Sequence, residues 1–302
     1  MIRRVLIVSL IVLTAGSAHA QTKLSEVGIW AVDLLQNYRI SPNITYSVAN
    51  NYQCKLDVYA RQNTSGPVPT VLYIHGGGWV AGAKETEILE ALPYFELGCS
   101  FVNVEYRLAS VSLAPAAVED CRLALRWVHQ NAKRFNFDTS RIIVTGGSAG
   151  GHLALMTGML DESAGFDAAK DWNPARLSLP VAAIINWYGI TDVSDLLSGP
   201  NRQGYAVSWL GGQVGREGLA RSVSPLTYVR NGNPPIFTVH CDNDELVPYT
   251  HAVRLHKALD DAGVPNQLLT IPGGKHGGFT REQLLTIVAS IRDFLAHHAG
   301  IQ

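Results

Sequence analysis

The sequence has little cysteine. Cys54, Cys99, Cys121 and Cys241 are the only four in 302 residues, and no two stand in C-x-x-C spacing. That argues against the metal and redox sites which such spacing builds. Four cysteines in an exported chain allow three complete disulfide pairings. Cys99 and Cys241 lie beside predicted central strands and Cys121 in a helical pattern, which favours buried free thiols. Charge of one sign is also missing. Lysine and arginine number 24 against 25 acidic residues, a net charge of −1. No basic cluster appears, so nothing points to nucleic acid or an anionic membrane as a partner. Beyond the first 20 residues no apolar run is long enough to cross a bilayer. Internal repeats and low-complexity tracts are absent. So are G-x-G-x-x-G after the first strand and G-K-[ST], which excludes the common dinucleotide and P-loop fingerprints.

The amino end reads as a signal peptide. Arg3 and Arg4 precede an apolar stretch from Val5 to Leu13, and Ala18-His19-Ala20 forms an A-x-A cleavage site. Cleavage after Ala20 leaves residues 21–302 as one α/β domain, secreted or periplasmic.

Along that domain, apolar spacing predicts a first helix from Leu24 to Arg39, stopped by Pro42. Two alternating runs follow, Ile44 to Val48 and Cys54 to Tyr59. Continuous apolar strands are expected at 71–74, 101–104, 142–144, 181–187, 236–240 and 267–271. Helices are expected at 116–134, about 152–160, 247–262 and 283–298. Apolar strands alternating with helices predict a mostly parallel central sheet covered on both faces. The stretch from Leu160 to Leu179 is polar and irregular, and reads as a lid over a site or as a plain surface loop.

Gly146-Gly147-Ser148-Ala149-Gly150 matches G-x-S-x-G between a predicted strand and a predicted helix. A turn that tight strains the serine backbone and lifts its Oγ above the sheet edge. The positive end of the following helix points at the serine. His75-Gly76-Gly77-Gly78-Trp79 closes an earlier strand. Acyl transfer builds negative charge on a carbonyl oxygen, and losing one preorganised N–H donor to it costs ~10²–10³ in rate. The N–H groups of Gly77, Gly78 and Ala149 are assigned to that role, and His75 to shaping the loop.

A serine nucleophile needs a base, and the base needs an orienting carboxylate. His276 stands in the glycine-rich run Pro272 to Phe279, after the last predicted strand. His129, His251 and His256 fall in helical patterns, His297 and His298 lie near the terminus, and His152 suits packing beneath the serine. Asp244 and Asp242 compete as the acid in the run His240 to Pro248. Asp244 is favoured because D-x-x-V-P is similar to the acid loop of many serine hydrolases, leaving Asp242 to fix the loop. Asp192 is an outside candidate that suits a turn former. Trp79, Trp187, Tyr188 and Trp209 suit either a pocket wall or core packing. Trp79 and Tyr188 are carried as candidate substrate contacts.

Together these segments resemble the α/β-hydrolase superfamily, in particular carboxylesterases of the hormone-sensitive-lipase-like group. They are closer still to the bifunctional acetylxylan/feruloyl esterase-like (BD-FAE-like) proteins. The likeness rests on residues 75–79, Glu105-Tyr106-Arg107-Leu108, 146–151, 187–192, 244–248 and His276. Glu105 stands where hormone-sensitive-lipase-like enzymes carry Asp or Asn, and residues 21–40 are too few for their larger cap, which favours the compact relatives. Cys241 replaces a frequent glycine in the acid loop. The resemblance implies a cofactor-free, metal-free serine esterase acting on short-chain or carbohydrate-linked (acetyl or feruloyl) esters. It favours neutral to mildly alkaline pH, because the base must start uncharged. An oligopeptidase-type serine peptidase and a non-catalytic binding member of the fold are the alternatives. The first usually needs a large gating domain, for which the residues ahead of Gly147 leave no room. The second often loses the serine or the histidine.

Overall fold

The computed structural model describes residues 23–167, 179–212 and 214–302. The expected signal peptide lies outside them. Residues up to Gln36 form one unit and Asn37–Gln302 a second, larger one. Helix α1 (Glu26–Asn37) has no buried residue.

The larger unit is built on one eight-stranded sheet in the order β1-β2-β4-β3-β5-β6-β7-β8. Its strands are β1 (Tyr38–Ala49), β2 (Tyr52–Arg61), β3 (Val68–Ile74), β4 (Ser100–Val104), β5 (Phe137–Gly147), β6 (Ala183–Trp187), β7 (Ile236–Cys241) and β8 (Asn266–Ile271). From β4 to β8 every neighbouring pair is parallel. Only β2, paired with β1 and β4, runs against its neighbours. The central strands read as continuous apolar runs because both faces are covered. Alternate residues serve opposite cores: Leu72, Ile74, Val144 and Ile184 face one, and Val71, Tyr73, Ile143 and Ile185 face the other. The first face packs under α3 (Ala116–Gln130), short α4 (Ala132–Phe135), α5 (Ala149–Met159), α6 (Gly204–Leu210), α7 (Arg216–Ser222) and α8 (Thr250–Asp261). The second packs under α2 (Leu92–Glu96) and α9 (Arg281–Ala299). This is the α/β-hydrolase arrangement expected from the sequence.

Several boundaries differ from expectation, each for a local reason. Strand β1 begins at Tyr38 and runs through Pro42, which sits at a register shift between Ser41 and Ile44. An edge strand tolerates proline at a bulge, where no ladder donor is lost. Asn43 takes a left-handed φ of 56° there, and its N–H donates to Asp57 Oδ1 at 2.7 Å. Helices α2, α6 and α7 are too short for their periodicity to have shown. Of the stretch 160–179, residues 168–178 lie outside the described residues. Its described beginning, Leu160, follows the far end of α5, ~16 Å along the helix from Ser148. All four cysteines are buried and unpaired.

Trp79, a candidate substrate contact, is in fact core. It is fully buried, stacked on Trp209 at 4.1 Å and edge-on to His152 at 4.8 Å, so its ring offers no surface to a ligand. Its indole N–H donates to His152 Nδ1 at 3.2 Å. The hydrogen of the imidazole therefore sits on Nε2, which donates to the Val223 carbonyl at 2.6 Å.

A Cβ on Gly150 would stand 2.0 Å from the Ile74 carbonyl oxygen. Gly150→Ala should destabilise the protein by about 2–4 kcal/mol in urea unfolding. Gly218→Ala, in α7 with open space around it, should stabilise by about 0.5–1 kcal/mol. Burial holds the His152 imidazole down to about 4, against 6.5 when free. The unfolded chain thus takes up a proton that the folded chain refuses, and stability is lost as pH falls from 6.5 towards 4. His152→Gln should flatten that decline by up to about 1.4 kcal/mol per pH unit, read from unfolding midpoints between pH 4 and 7.

Candidate active site

Three parallel strands deliver the site to one edge of the sheet. Strand β5 ends at Gly147, and Ser148 turns the chain into α5. On one side β3 ends at Ile74 and opens into the His75–Trp79 loop. On the other, β6 ends at Trp187. Ser148 has φ 56° and ψ −120°. Two backbone hydrogen bonds pin it: its N–H donates to the Trp187 carbonyl at 2.8 Å, and its carbonyl accepts from His152 N–H at 3.0 Å. The strain this geometry carries is about 1–3 kcal/mol.

His276 reaches Ser148 from the loop after β8. Its Nε2 lies 2.9 Å from Ser148 Oγ and its Nδ1 lies 2.7 Å from Asp244 Oδ2. Asp244 leaves the end of β7 and is buried. Its Oδ1 accepts from the N–H groups of Leu246 and Val247 at 2.8 and 2.9 Å. Burial alone would raise its pKa. Hydrogen bonds from His240, His276 and the Val247 N–H outweigh burial and hold the carboxyl well below the usual carboxylate range. Of the two acids considered, Asp244 is the one that lies against His276. Asp242 is exposed, and its Oδ1 accepts from the Gly273 N–H at 2.6 Å, fixing one loop to the next. Asp192 pairs with Arg254 at 2.7 Å and accepts from the Ser194 N–H at 3.1 Å, as a turn former does.

His240 was not singled out from the sequence. Its Nε2 faces two acceptors, the Val247 carbonyl at 3.0 Å and Asp244 Oδ2 at 3.3 Å, so that nitrogen carries the hydrogen. It is a second histidine on the carboxylate that holds His276. The signal available was its place four residues before Asp244 at the end of a strand.

The glycine loop is held from behind. The Tyr106 hydroxyl lies 3.2 Å from both the His75 and Gly76 carbonyl oxygens, and the His75 ring stacks on Tyr106 at 4.3 Å. Glu87 Oε2 accepts from the Gly76 N–H at 3.1 Å and from the Tyr73 hydroxyl at 2.7 Å. Gly77 has φ 104°, and a Cβ there would lie 2.1 Å from the Ala81 carbonyl oxygen. Among the described residues no hydrogen bond is donated by the N–H of Gly77, Gly78 or Ala149. Gly77, Gly78, Ser148 and His276 open on one cavity of about 410 Å³. Tyr73, Trp187, Tyr188 and Tyr205 form its aromatic wall, and Glu87 and Glu90 add two carboxylates. Its lining includes no lysine or arginine. Tyr188, the other candidate substrate contact, lines this cavity edge-on to His276, with ring centres 4.7 Å apart. Its backbone is also left-handed, at φ 42°.

The chain is similar to several known esterases. The chain is 29% identical to Esterase LipQ of Mycobacterium tuberculosis over 217 residues, covering 69% of this chain and 50% of that protein. It is 40% identical to Carboxylesterase NlhH of the same species over 100 residues, covering 32% of this chain and 31% of NlhH. The chain spans about half the length of the first curated relatives it matches. Among solved structures, a truncated carbohydrate esterase from gut microbiota superposes with a TM-score of 0.72 at 25% identity, covering 85% of this chain and 96% of that one. Thermogutta terrifontis esterase 2 shares the fold, with a TM-score of 0.73 at 24% identity, covering 88% and 96%. The BD-FAE family model matches residues 56–259, a span that holds the glycine loop, Ser148 and Asp244, and by that match the chain belongs to the BD-FAE family.

Proposed function

We propose that this protein is a serine carboxylic-ester hydrolase acting through an acyl-enzyme. The observation that carries the reading is the unbroken chain from Ser148 Oγ through His276 to Asp244, at 2.9 and 2.7 Å, opening on a cavity beside N–H donors that have no other partner among the described residues. Ser148 Oγ attacks the ester carbonyl carbon while His276 Nε2 takes its proton. Asp244 fixes the imidazole with its hydrogen on Nδ1 and stabilises the imidazolium. The N–H groups of Gly77, Gly78 and Ala149 receive the developing oxyanion. Collapse of the tetrahedral intermediate breaks the bond to the alcohol oxygen, which leaves with the proton from His276. Water, deprotonated by the same nitrogen, then cleaves the acyl-serine ester. Ser148 recovers its proton and the acid is released.

Short-chain or carbohydrate-linked esters are the proposed substrates. Two features support this: the cavity's Glu87 and Glu90, which accept hydrogen bonds from hydroxyl groups, and its aromatic wall, on which a sugar or aryl ring packs. The chain's similarity to an esterase and to a carbohydrate esterase supports the same reading. Export through the signal peptide is part of the proposal and rests on the basic start, apolar run and A-x-A site of residues 1–20.

Hydrolysis of p-nitrophenyl acetate and butyrate tests the chemistry. Ser148→Ala should lower kcat by ~10⁴-fold or more, and Asp244→Asn by ~10²–10⁴-fold. Turnover that persists in Ser148→Ala defeats the scheme. For export, the protein recovered from outside the cytoplasm of an expressing bacterium should begin at Gln21. An intact Met1 on protein confined to the cytoplasm contradicts it.

A further inference from the structure

Beside the catalytic cavity lies a second one of about 460 Å³, between α2 and α9. Its walls are mostly apolar, with Leu89 and Leu92 on one side and Leu284, Leu285 and Val288 on the other, and its lining also includes Glu90, Glu96 and Arg292. Helix α9 thus carries two apolar faces. Ile287, Ile291, Phe294 and Leu295 are buried in the core, as an amphipathic helix requires. Leu284 and Leu285 stay exposed, as do Leu89 and Leu92 across the groove. Exposed leucines gathered on facing elements differ from singly scattered ones, which need no explanation.

The groove adjoins the catalytic cavity. Trp187 and Glu90 line both. The Trp187 carbonyl accepts the Ser148 N–H at 2.8 Å, so the residue dividing the two spaces adjoins the nucleophile. Among the described residues the Glu90 N–H donates to the Glu87 carbonyl at 3.0 Å, while its side-chain carboxylate has no hydrogen bond or ion pair. Glu87, three residues earlier, lines the catalytic cavity with it. An anionic group passing this point would meet repulsion from both carboxylates, whereas an uncharged chain would not.

We infer that the groove is a binding subsite for an uncharged apolar tail of the ester substrate, lying past Trp187 and beyond the short groups that the catalytic cavity holds by itself. The inference rests on the ester-hydrolase reading and adds to it the class of substituent the enzyme favours. Each methylene the groove buries contributes roughly three- to fourfold in binding.

A chain-length series of p-nitrophenyl esters, acetate to decanoate below their micelle-forming concentrations, tests this with wild type and the double variant Leu89→Asp/Leu285→Asp. Both positions are exposed, so the folded state should tolerate the changes. In wild type, KM should fall at least fivefold from butyrate to octanoate. In the double variant that fall should disappear while acetate kinetics stay within twofold. Alkyl acetates, with the tail on the alcohol, run in parallel and report which side of the ester enters the groove. A series identical in both proteins overturns the inference. So does a double variant that only converts a dimer to a monomer, which would make the groove a contact between copies. Binding of octanamide to Ser148→Ala protein, followed by calorimetry, reads the groove without turnover and should weaken at least fivefold when the two aspartates are added. If acetate is not hydrolysed but octanamide binding responds to the groove variants, the hydrolase reading fails and the subsite stands. If acetate is hydrolysed and octanamide binding is unchanged, the reverse holds.

Discussion

Ser148 occupies a backbone conformation, φ 56° and ψ −120°, that a residue with a side chain keeps only when its surroundings over-determine it. Those surroundings are the ends of three adjacent parallel strands. The β6 carbonyl of Trp187 takes the serine N–H, and the first turn of α5 takes its carbonyl. Gly150 lets that turn come against the Ile74 carbonyl at the end of β3. The same close approach brings the Ala149 N–H beside the glycine loop. One constraint therefore places the nucleophile, two sets of donors and the aromatic wall together. If the β5–α5 turn relaxed, Oγ would lose its line to His276 although every other residue remained in place.

Behind the histidine, electrostatics complete the arrangement. Asp244 is buried and yet accepts from two backbone N–H groups and two imidazoles. A carboxylate surrounded by so many donors stays ionised despite desolvation. The cavity in front of it is acidic too, with Glu87 tied to the glycine loop and Glu90 standing open. In the proposed reaction an acid product formed at Ser148 would be an anion released among carboxylates, so repulsion would favour its departure.

Much of this was legible in the sequence. The central strands and the helices between them followed from apolar runs and from where glycine and proline punctuate them, Ser148 and His276 stood out by their glycine-flanked turns, and Asp244 by a likeness to the acid loop of serine hydrolases. What escaped has a physical pattern. Pro42 read as a stop because its edge-strand bulge depends on Asp57, a partner 15 residues away. Trp79 suits either a pocket wall or the core in the sequence, because its position beside the glycines is visible in one dimension, whereas its stacking on Trp209 and its bond to His152 are not. His240 was overlooked for the opposite reason: a histidine ending an apolar strand carries no mark until the chain folds back at Val247 to show what its ring faces. The groove between α2 and α9 joins elements nearly 200 residues apart, and the five residues of α2 are too few to display a period.

The four solitary thiols have a consequence of another kind. Cys54 lies in β2, Cys121 in α3, Cys241 in β7, and Cys99 just before β4, so they sample both cores and the sheet between them. Burial pushes the thiols of Cys54 and Cys99 up to about 12 and that of Cys241 to about 11. In the closed molecule they are neither accessible nor ionised, the two conditions an alkylating reagent needs. Each cysteine thus acts as a silent clock for its own neighbourhood: the rate at which it becomes labelled measures how often that part of the protein opens. The chain carries, without added probes, a map of its own breathing.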